Sequence, residues 1–154
     1  MGNSSISYAE KYMRVALQEA YKASGLKEVP VGCVIVEQNH VIAAAYNTME
    51  QDHVVTSHAE LKAIQLASKR KNSWRLTDCD LFVTMEPCNM CMGAVLLSRL
   101  RSVYYGVHNP KTGAFTGPTP MPNQLTSVRI YSGICAQEIQ EQLKAFFLPR
   151  RGEL

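Results

Sequence analysis

Leu81-Phe82-Val83-Thr84-Met85-Glu86-Pro87-Cys88-Asn89-Met90-Cys91-Met92-Gly93-Ala94 reads as a strand that passes straight into a helix. Leu81 to Met85 is a short, apolar, β-prone run of the kind buried inside a sheet. Pro87 ends it, and a helix follows from about Cys88 to Ser98. Toward the C-terminus comes a second strand, Ser102 to Gly106, then a loop rich in Gly, Pro and Thr from Val107 to Leu125. A further strand spans Val128 to Tyr131. The last helix carries Ile139, Leu143, Phe146 and Phe147 on one face and stops before Pro149.

Toward the N-terminus, Ser57-His58-Ala59-Glu60 has the form of a capping box and opens a helix through about Lys69, with Leu61, Ile64 and Ala67 inside. Before it, Val31 to Val36 and Val41 to Tyr46 are β-prone runs joined by Glu37-Gln38-Asn39-His40, a hairpin. A first capping box, Ser7-Tyr8-Ala9-Glu10, starts a helix whose Ala9, Met13, Ala16, Leu17 and Ala20 recur at helical spacing until Gly25. Helix, two strands, then alternating helix and strand predict an α/β architecture, one mixed five-stranded sheet with helices on both faces. No repeat or linker divides the chain, so residues 1–154 are expected to form a single domain.

Composition narrows the class. With 154 residues, 46% hydrophobic and 19% charged, the chain is an ordinary globular sequence and excludes disordered and low-complexity classes. Its longest nearly apolar stretch, Met90 to Leu97, is far short of a membrane span. No charged-then-apolar leader opens it, and Ile6 breaks the myristoylation pattern, so a cytoplasmic protein is expected. A net charge of +3 leans only mildly toward polyanions. Five cysteines make a complete disulfide framework improbable; Cys33, Cys79 and Cys135 sit among apolar neighbours and read as small hydrophobes.

Cys88 and Cys91 are spaced for chemistry. Three apart at a helix start, both thiols point to one side of the first turn, where the helix N-terminus favours the thiolate that binds metal. Adding His58 gives a Cys₂His set, which leaves the fourth tetrahedral position of a zinc ion for water. Glu60, two residues beyond His58, faces away from a ligand's position and is better placed to move protons between that water and a leaving group. A lone Cys-x-x-Cys is also the form of a redox pair or half of a structural zinc site. Neither explains His-Ala-Glu, and no second Cys-x-x-Cys supplies closing ligands.

His-x-Glu with Pro-Cys-x-x-Cys is the signature of zinc nucleobase deaminases. The chain closely resembles the bacterial tRNA-specific adenosine deaminases within that class. The resemblance is carried by Val29 to Val36, Tyr46-Asn47, Trp74-Arg75-Leu76, Thr84 to Ala94, and Tyr105-Gly106 through Pro110-Lys111-Thr112-Gly113-Ala114, with Phe146-Phe147 and Arg150-Arg151 at the end. It implies a three-layer α/β/α cytidine deaminase-like fold and one Zn²⁺ per chain held by His58, Cys88 and Cys91. It implies that Glu60 shuttles protons while zinc-bound hydroxide attacks C6 of an adenosine at the wobble position of a tRNA anticodon loop. Asn47 would hydrogen-bond the purine edge, and the backbone around Ala59 and Pro87 would help hold the base. A homodimer is implied, with part of each site supplied by the partner subunit.

Three places depart from the family pattern. Asp52 to Ser57 lacks the usual Pro-containing polar turn, Phe115 to Pro122 is shorter than expected, and Asn109 stands beside the substrate's flanking nucleotides where many members have Asp. Lys69-Arg70-Lys71, Arg75, Lys111 and Arg150-Arg151 are candidates for gripping phosphates, although a charged run is more often a solvated helix end. Phe115 either stacks on a splayed base or anchors its own loop. The alternative enzyme is a deaminase of a free base such as guanine or cytidine with the same zinc centre. The alternative outside catalysis is an idle RNA-binding or zinc-stabilised partner subunit, against which an intact Glu60 argues.

Overall fold

The computed structural model describes residues 7–121 and 127–150. Along the chain run α1 (Tyr8–Gly25), β1 (Gly32–Glu37), β2 (His40–Tyr46), α2 (Met49–Asp52), α3 (Ala59–Lys71), β3 (Cys79–Met85), α4 (Asn89–Leu97), β4 (Ser102–Val107), β5 (Arg129–Tyr131) and α5 (Ala136–Phe147). The five strands make one sheet in the order β2-β1-β3-β4-β5. β1 is antiparallel to both β2 and β3, while β3, β4 and β5 run parallel. The mixed sheet expected from the order of elements is therefore present.

β1 shows why helices cover both faces. Its Cys33 and Ile35 pack with Ala59, Ala63 and Ala67 of α3 and Met92 and Val95 of α4. Val34 and Val36, pointing the other way, pack with Met13, Ala16 and Leu17 of α1 and Ile139 of α5. Strands buried on both faces lose the polar alternation of a solvated sheet, which is what the continuous apolar runs at β1 and β3 express. α1 lies directly on β1: a Cβ built on Gly32 would come within 1.9 Å of the Ala16 carbonyl oxygen.

Several local expectations shift. Glu37 and His40 pair as the last rung of the hairpin, so its turn is only Gln38-Asn39, both at positive φ (48° and 63°) as a type I′ turn requires. At the first capping box the Ser7 N-cap forms, with the Glu10 N–H donating to Ser7 Oγ at 3.2 Å. The second does not: His58 is the N-cap of α3, and the Ser57 hydroxyl pairs instead with Asp52. The one-turn α2 was not foreseen. The last α-helix ends at Phe147, and Pro149 lies in a 3₁₀ turn that follows. Cys33 and Cys79 are buried as expected, whereas Cys135 is half-buried. Residues 122–124 of the atypical loop, the Arg150 side chain and Arg151 lie outside what is described.

The topology places the site. Because β1 runs against β3, the start of β1, the end of β2 and the end of β3 all lie at one edge of the sheet. Asn47, Glu86 and Cys88, which follow those ends, are brought together from far apart in sequence.

Candidate active site

His58 and Cys88 occupy equivalent positions, each the N-cap of its helix with extended backbone (ψ 147° and 173°) and no side-chain capping bond. A side chain released from capping points away from the helix, toward whatever lies beyond its first turn. Cys91, one turn into α4, lies on the same side. His58 Nδ1 is 3.7 Å from Cys88 Sγ and 3.4 Å from Cys91 Sγ, and the three ligand atoms lie within 4.8 Å of one another. Zn–S bonds of about 2.3 Å and Zn–N bonds of about 2.0 Å, at the tetrahedral angle, set sulfur and nitrogen about 3.5 Å apart. The observed distances bracket that value, so the three side chains fit one tetrahedral ion.

The three groups are electrostatically coupled through Cys88. The Cys91 thiol donates to Cys88, and with His58 this holds Cys88 well below the usual thiol range against the opposing effect of burial. Cys91 is pushed up in turn, first by its bond to Cys88 and then by burial. His58 is raised by its hydrogen bond to Cys88. Glu60 lies against the cluster, hydrogen-bonded to Cys91. It is 4% exposed, and burial raises its pKa above the ordinary carboxylate value, more than the nearby His58 lowers it.

These groups border a cavity of about 220 Å³ lined by residues including Asn47, His58, Glu60, Glu86, Cys88 and Asn109. Pockets for drug-sized ligands run to about 300–1,000 Å³, so this one suits a single planar ring more than a whole nucleotide. Asn47, buried at the end of β2, lines it. Asn109 lines it too, but its side chain is caught in a local turn. Its Nδ2 donates to Thr112 Oγ1 at 2.8 Å, and its Oδ1 accepts the Thr112 N–H. Ala59 is fully buried at the first position of α3. The Pro87 carbonyl accepts the Ala114 N–H at 2.8 Å, tying the loop to the start of α4.

Two carboxylates escaped the sequence reading. Glu86, 2% exposed, staples the loop that forms one wall: Oε1 accepts the Asn109 N–H at 3.0 Å, and Oε2 accepts the Phe115 and Thr116 N–H groups, each at 2.9 Å. Thr116 Oγ1 donates to Oε1 as well. A Cβ on Gly113 would collide with that carboxylate. Glu28, 1% exposed, accepts the Gln51 N–H at 2.8 Å and so holds α2. An acid at the end of a buried strand was the available signal for Glu86, since such a charge needs partners; nothing local marks Glu28. Phe115 stacks on Tyr105 at 6.3 Å and packs on the core, the loop-anchoring outcome. Lys71 is paired with Glu37 at 2.5 Å, and Arg75 lies over the Trp74 ring at 4.3 Å.

A mixed sheet of this order, with a metal-fitting cluster at two helix starts beside a buried glutamate, is the frame of a zinc-dependent deaminase. The sequence profile of the cytidine and deoxycytidylate deaminase zinc-binding region matches residues 6–107, and the chain belongs to that family. Within it the chain falls among the tRNA-specific adenosine deaminases. It is 40% identical over 144 residues to the one from Bacillus subtilis (strain 168), covering 90% of this chain and 88% of the relative. It is 38% identical over 143 residues to that of Agrobacterium fabrum (strain C58), covering 91% and 94%. A solved tRNA:A34 deaminase structure aligns with a TM-score of 0.80 at 38% identity, covering 85% of this chain and 97% of that one.

Proposed function

We propose that this chain hydrolyses the wobble adenosine of a tRNA anticodon loop to inosine, releasing ammonia. The observation that carries the reading is a buried Glu60 beside a Cys₂His cluster in a cavity sized for one base, in a chain whose relatives are tRNA-specific adenosine deaminases. His58, Cys88 and Cys91 would hold zinc, which when bound makes water a nucleophile at neutral pH. Glu60 does the proton work: it takes a proton from the attacking water and delivers it to the ring, then takes the second from the hydroxyl newly bonded to C6 and passes it to the departing amine. Burial suits it to this, because a carboxyl whose pKa is raised gives and takes protons more readily near neutrality. Asn47 binds the base edge, and the loop stapled by Glu86, including Asn109, forms the wall beside the flanking nucleotides. The backbone at Ala59 and Pro87 fixes the two helix starts that frame the base.

RNA as partner is supported by Lys111, exposed on the stapled loop beside Thr112 of the cavity wall, and by exposed Lys69 and Arg70. A loop adenosine also costs less to turn out of its stack than one in a duplex. A homodimer is supported by α4, which is apolar on its outer side too: Met90 and Leu97 are 38% and 73% exposed. A helix apolar all round is one that is covered. Residues 1–154 are read as one deaminase domain. Among the described residues no helix is long and apolar enough to cross a membrane, and a cytoplasmic location follows from the tRNA substrate.

The test is ammonia release from an anticodon stem-loop with wobble adenosine, from free guanine and from free cytidine. Turnover of the stem-loop, weakening steeply with salt, is expected. Turnover of a free base alone would overturn the tRNA reading.

A further inference from the structure

Asn47 does not stand alone. Its Nδ2 donates to Glu28 Oε2 at 3.4 Å, and the other oxygen of the same carboxylate accepts the Gln51 N–H of α2 at 2.8 Å. Glu28 is 1% exposed and Asn47 7%, so neither side chain can trade this partner freely for water. Glu28 itself is fixed from behind, its N–H donating to the Ala23 carbonyl at 3.0 Å at the end of α1.

An asparagine amide has two faces of opposite hydrogen-bonding sense, and a half-turn about its last bond exchanges them. A carboxylate only accepts, so Glu28 selects the orientation that aims Nδ2 at it. The reversed orientation would set Oδ1 against Oε2, two acceptors in a buried place. The contact is long for a hydrogen bond, but the sense of the pairing, more than its strength, does the selecting. The selected orientation leaves the second N–H of Nδ2 as the amide's remaining donor. Adenine offers acceptors at its ring nitrogens, and its only edge donor is the amine that departs. The adenine edge is therefore read by a donor.

We propose that Glu28 is a positioning residue of the deaminase site, fixing the Asn47 amide so that it presents an N–H to the acceptor edge of the base. The inference rests on the reading of Asn47 as a base-binding residue. Glu28 touches no substrate; it acts through Asn47, and through α2 it fixes the segment that follows Asn47.

Glu28→Gln tests it with almost no change of shape. The new amide keeps its oxygen on the Gln51 N–H and turns its NH₂ toward Asn47. Asn47 then reverses to offer Oδ1, and the base meets an acceptor. The expected result is a loss of about tenfold or more in kcat/KM, the size of coupling seen between contacting residues, with KM rising while zinc content holds. In an Asn47→Ala background the same change should cost less than about twofold. The double variant Glu28→Gln with Asn47→Asp keeps that pairing and makes position 47 an acceptor only, so it should melt close to Glu28→Gln and turn over no better.

An equal loss from Glu28→Gln in both backgrounds would overturn the proposal and make Glu28 a structural brace. So would recovery of turnover in the double variant, or an unchanged kcat/KM in Glu28→Gln alone. The cycle is run in steady state on whichever of the stem-loop, guanine and cytidine the wild type deaminates. An idle wild type on the stem-loop would thus refute the tRNA substrate, while absent coupling would refute the role of Glu28.

Discussion

Replacing Glu86 by glutamine should loosen one wall of the cavity while leaving the sheet intact. Its carboxylate takes four hydrogen bonds, from the N–H groups of Asn109, Phe115 and Thr116 and from the Thr116 hydroxyl. An NH₂ in place of Oε2 would face both the Phe115 and Thr116 N–H groups. In place of Oε1 it faces only the Asn109 N–H, because the Thr116 hydroxyl can turn and accept. The second arrangement is the cheaper and is the one expected. It removes one charge-assisted bond and leaves one buried donor facing another, about 2–3 kcal/mol. For a chain of this length that lowers the melting temperature by roughly 4–12 °C. Hydrogen exchange reads the detail: the Asn109 amide should lose protection, while those of Phe115 and Thr116 keep it. With Asn109 and Thr112 lining the cavity, KM for the stem-loop should rise more than kcat falls. A variant with unchanged melting temperature and an Asn109 amide still protected would refute the staple.

Glu60→Gln should lower turnover at least about 100-fold, the usual scale of a lost general acid–base, with zinc near one per chain; loss of the metal would instead make Glu60 a ligand. Cys88→Ser should lose zinc and melt lower, and a zinc-replete, fully active variant would sink the ligand assignment. Asp80 supplies a pH prediction. Burial would raise its pKa, but hydrogen bonds from Arg101 (3.0 and 2.8 Å) and Tyr8 (2.6 Å) outweigh this and hold it below its ordinary 3.8. Its stabilising effect is therefore complete above the ordinary value and is lost as pH falls through the lower folded one. Asp80→Asn should flatten that acid limb in denaturant titrations between about pH 2 and 6. Gly32→Ala would press a methyl onto the Ala16 carbonyl and the Ala20 backbone nitrogen, and should cost about 3 kcal/mol or more in stability, measured by denaturant unfolding.

What could be read from the sequence was what is local in the chain. The alternation that puts Cys33 and Ile35 on one face and Val34 and Val36 on the other is written in a single apolar run, as is the Ser7 cap. The cluster that could hold a metal was legible because two of its side chains are one helical turn apart and the third starts a neighbouring helix. The rest depends on contacts between distant segments. α2 is too short for its own periodicity and is held by Glu28, which comes from the far side of the hairpin. Ser57 looked like a cap until Asp52 claimed its hydroxyl, which passed the N-cap to His58. Glu86 drew no reading of its own, because its partners lie more than twenty residues on.

His58 and Cys88 are thirty residues apart in sequence, and α3, β3 and the turns between them lie inside that interval. An ion held by both closes the segment into a ring. Closing a loop of that size removes denatured-chain entropy worth roughly 3–4 kcal/mol. An ion bound there would thus also be a reversible crosslink, holding one crossover of the sheet shut. Under metal starvation the chain would lose its reaction and its resistance to proteolysis together, so its cellular lifetime should follow zinc supply as closely as its turnover does.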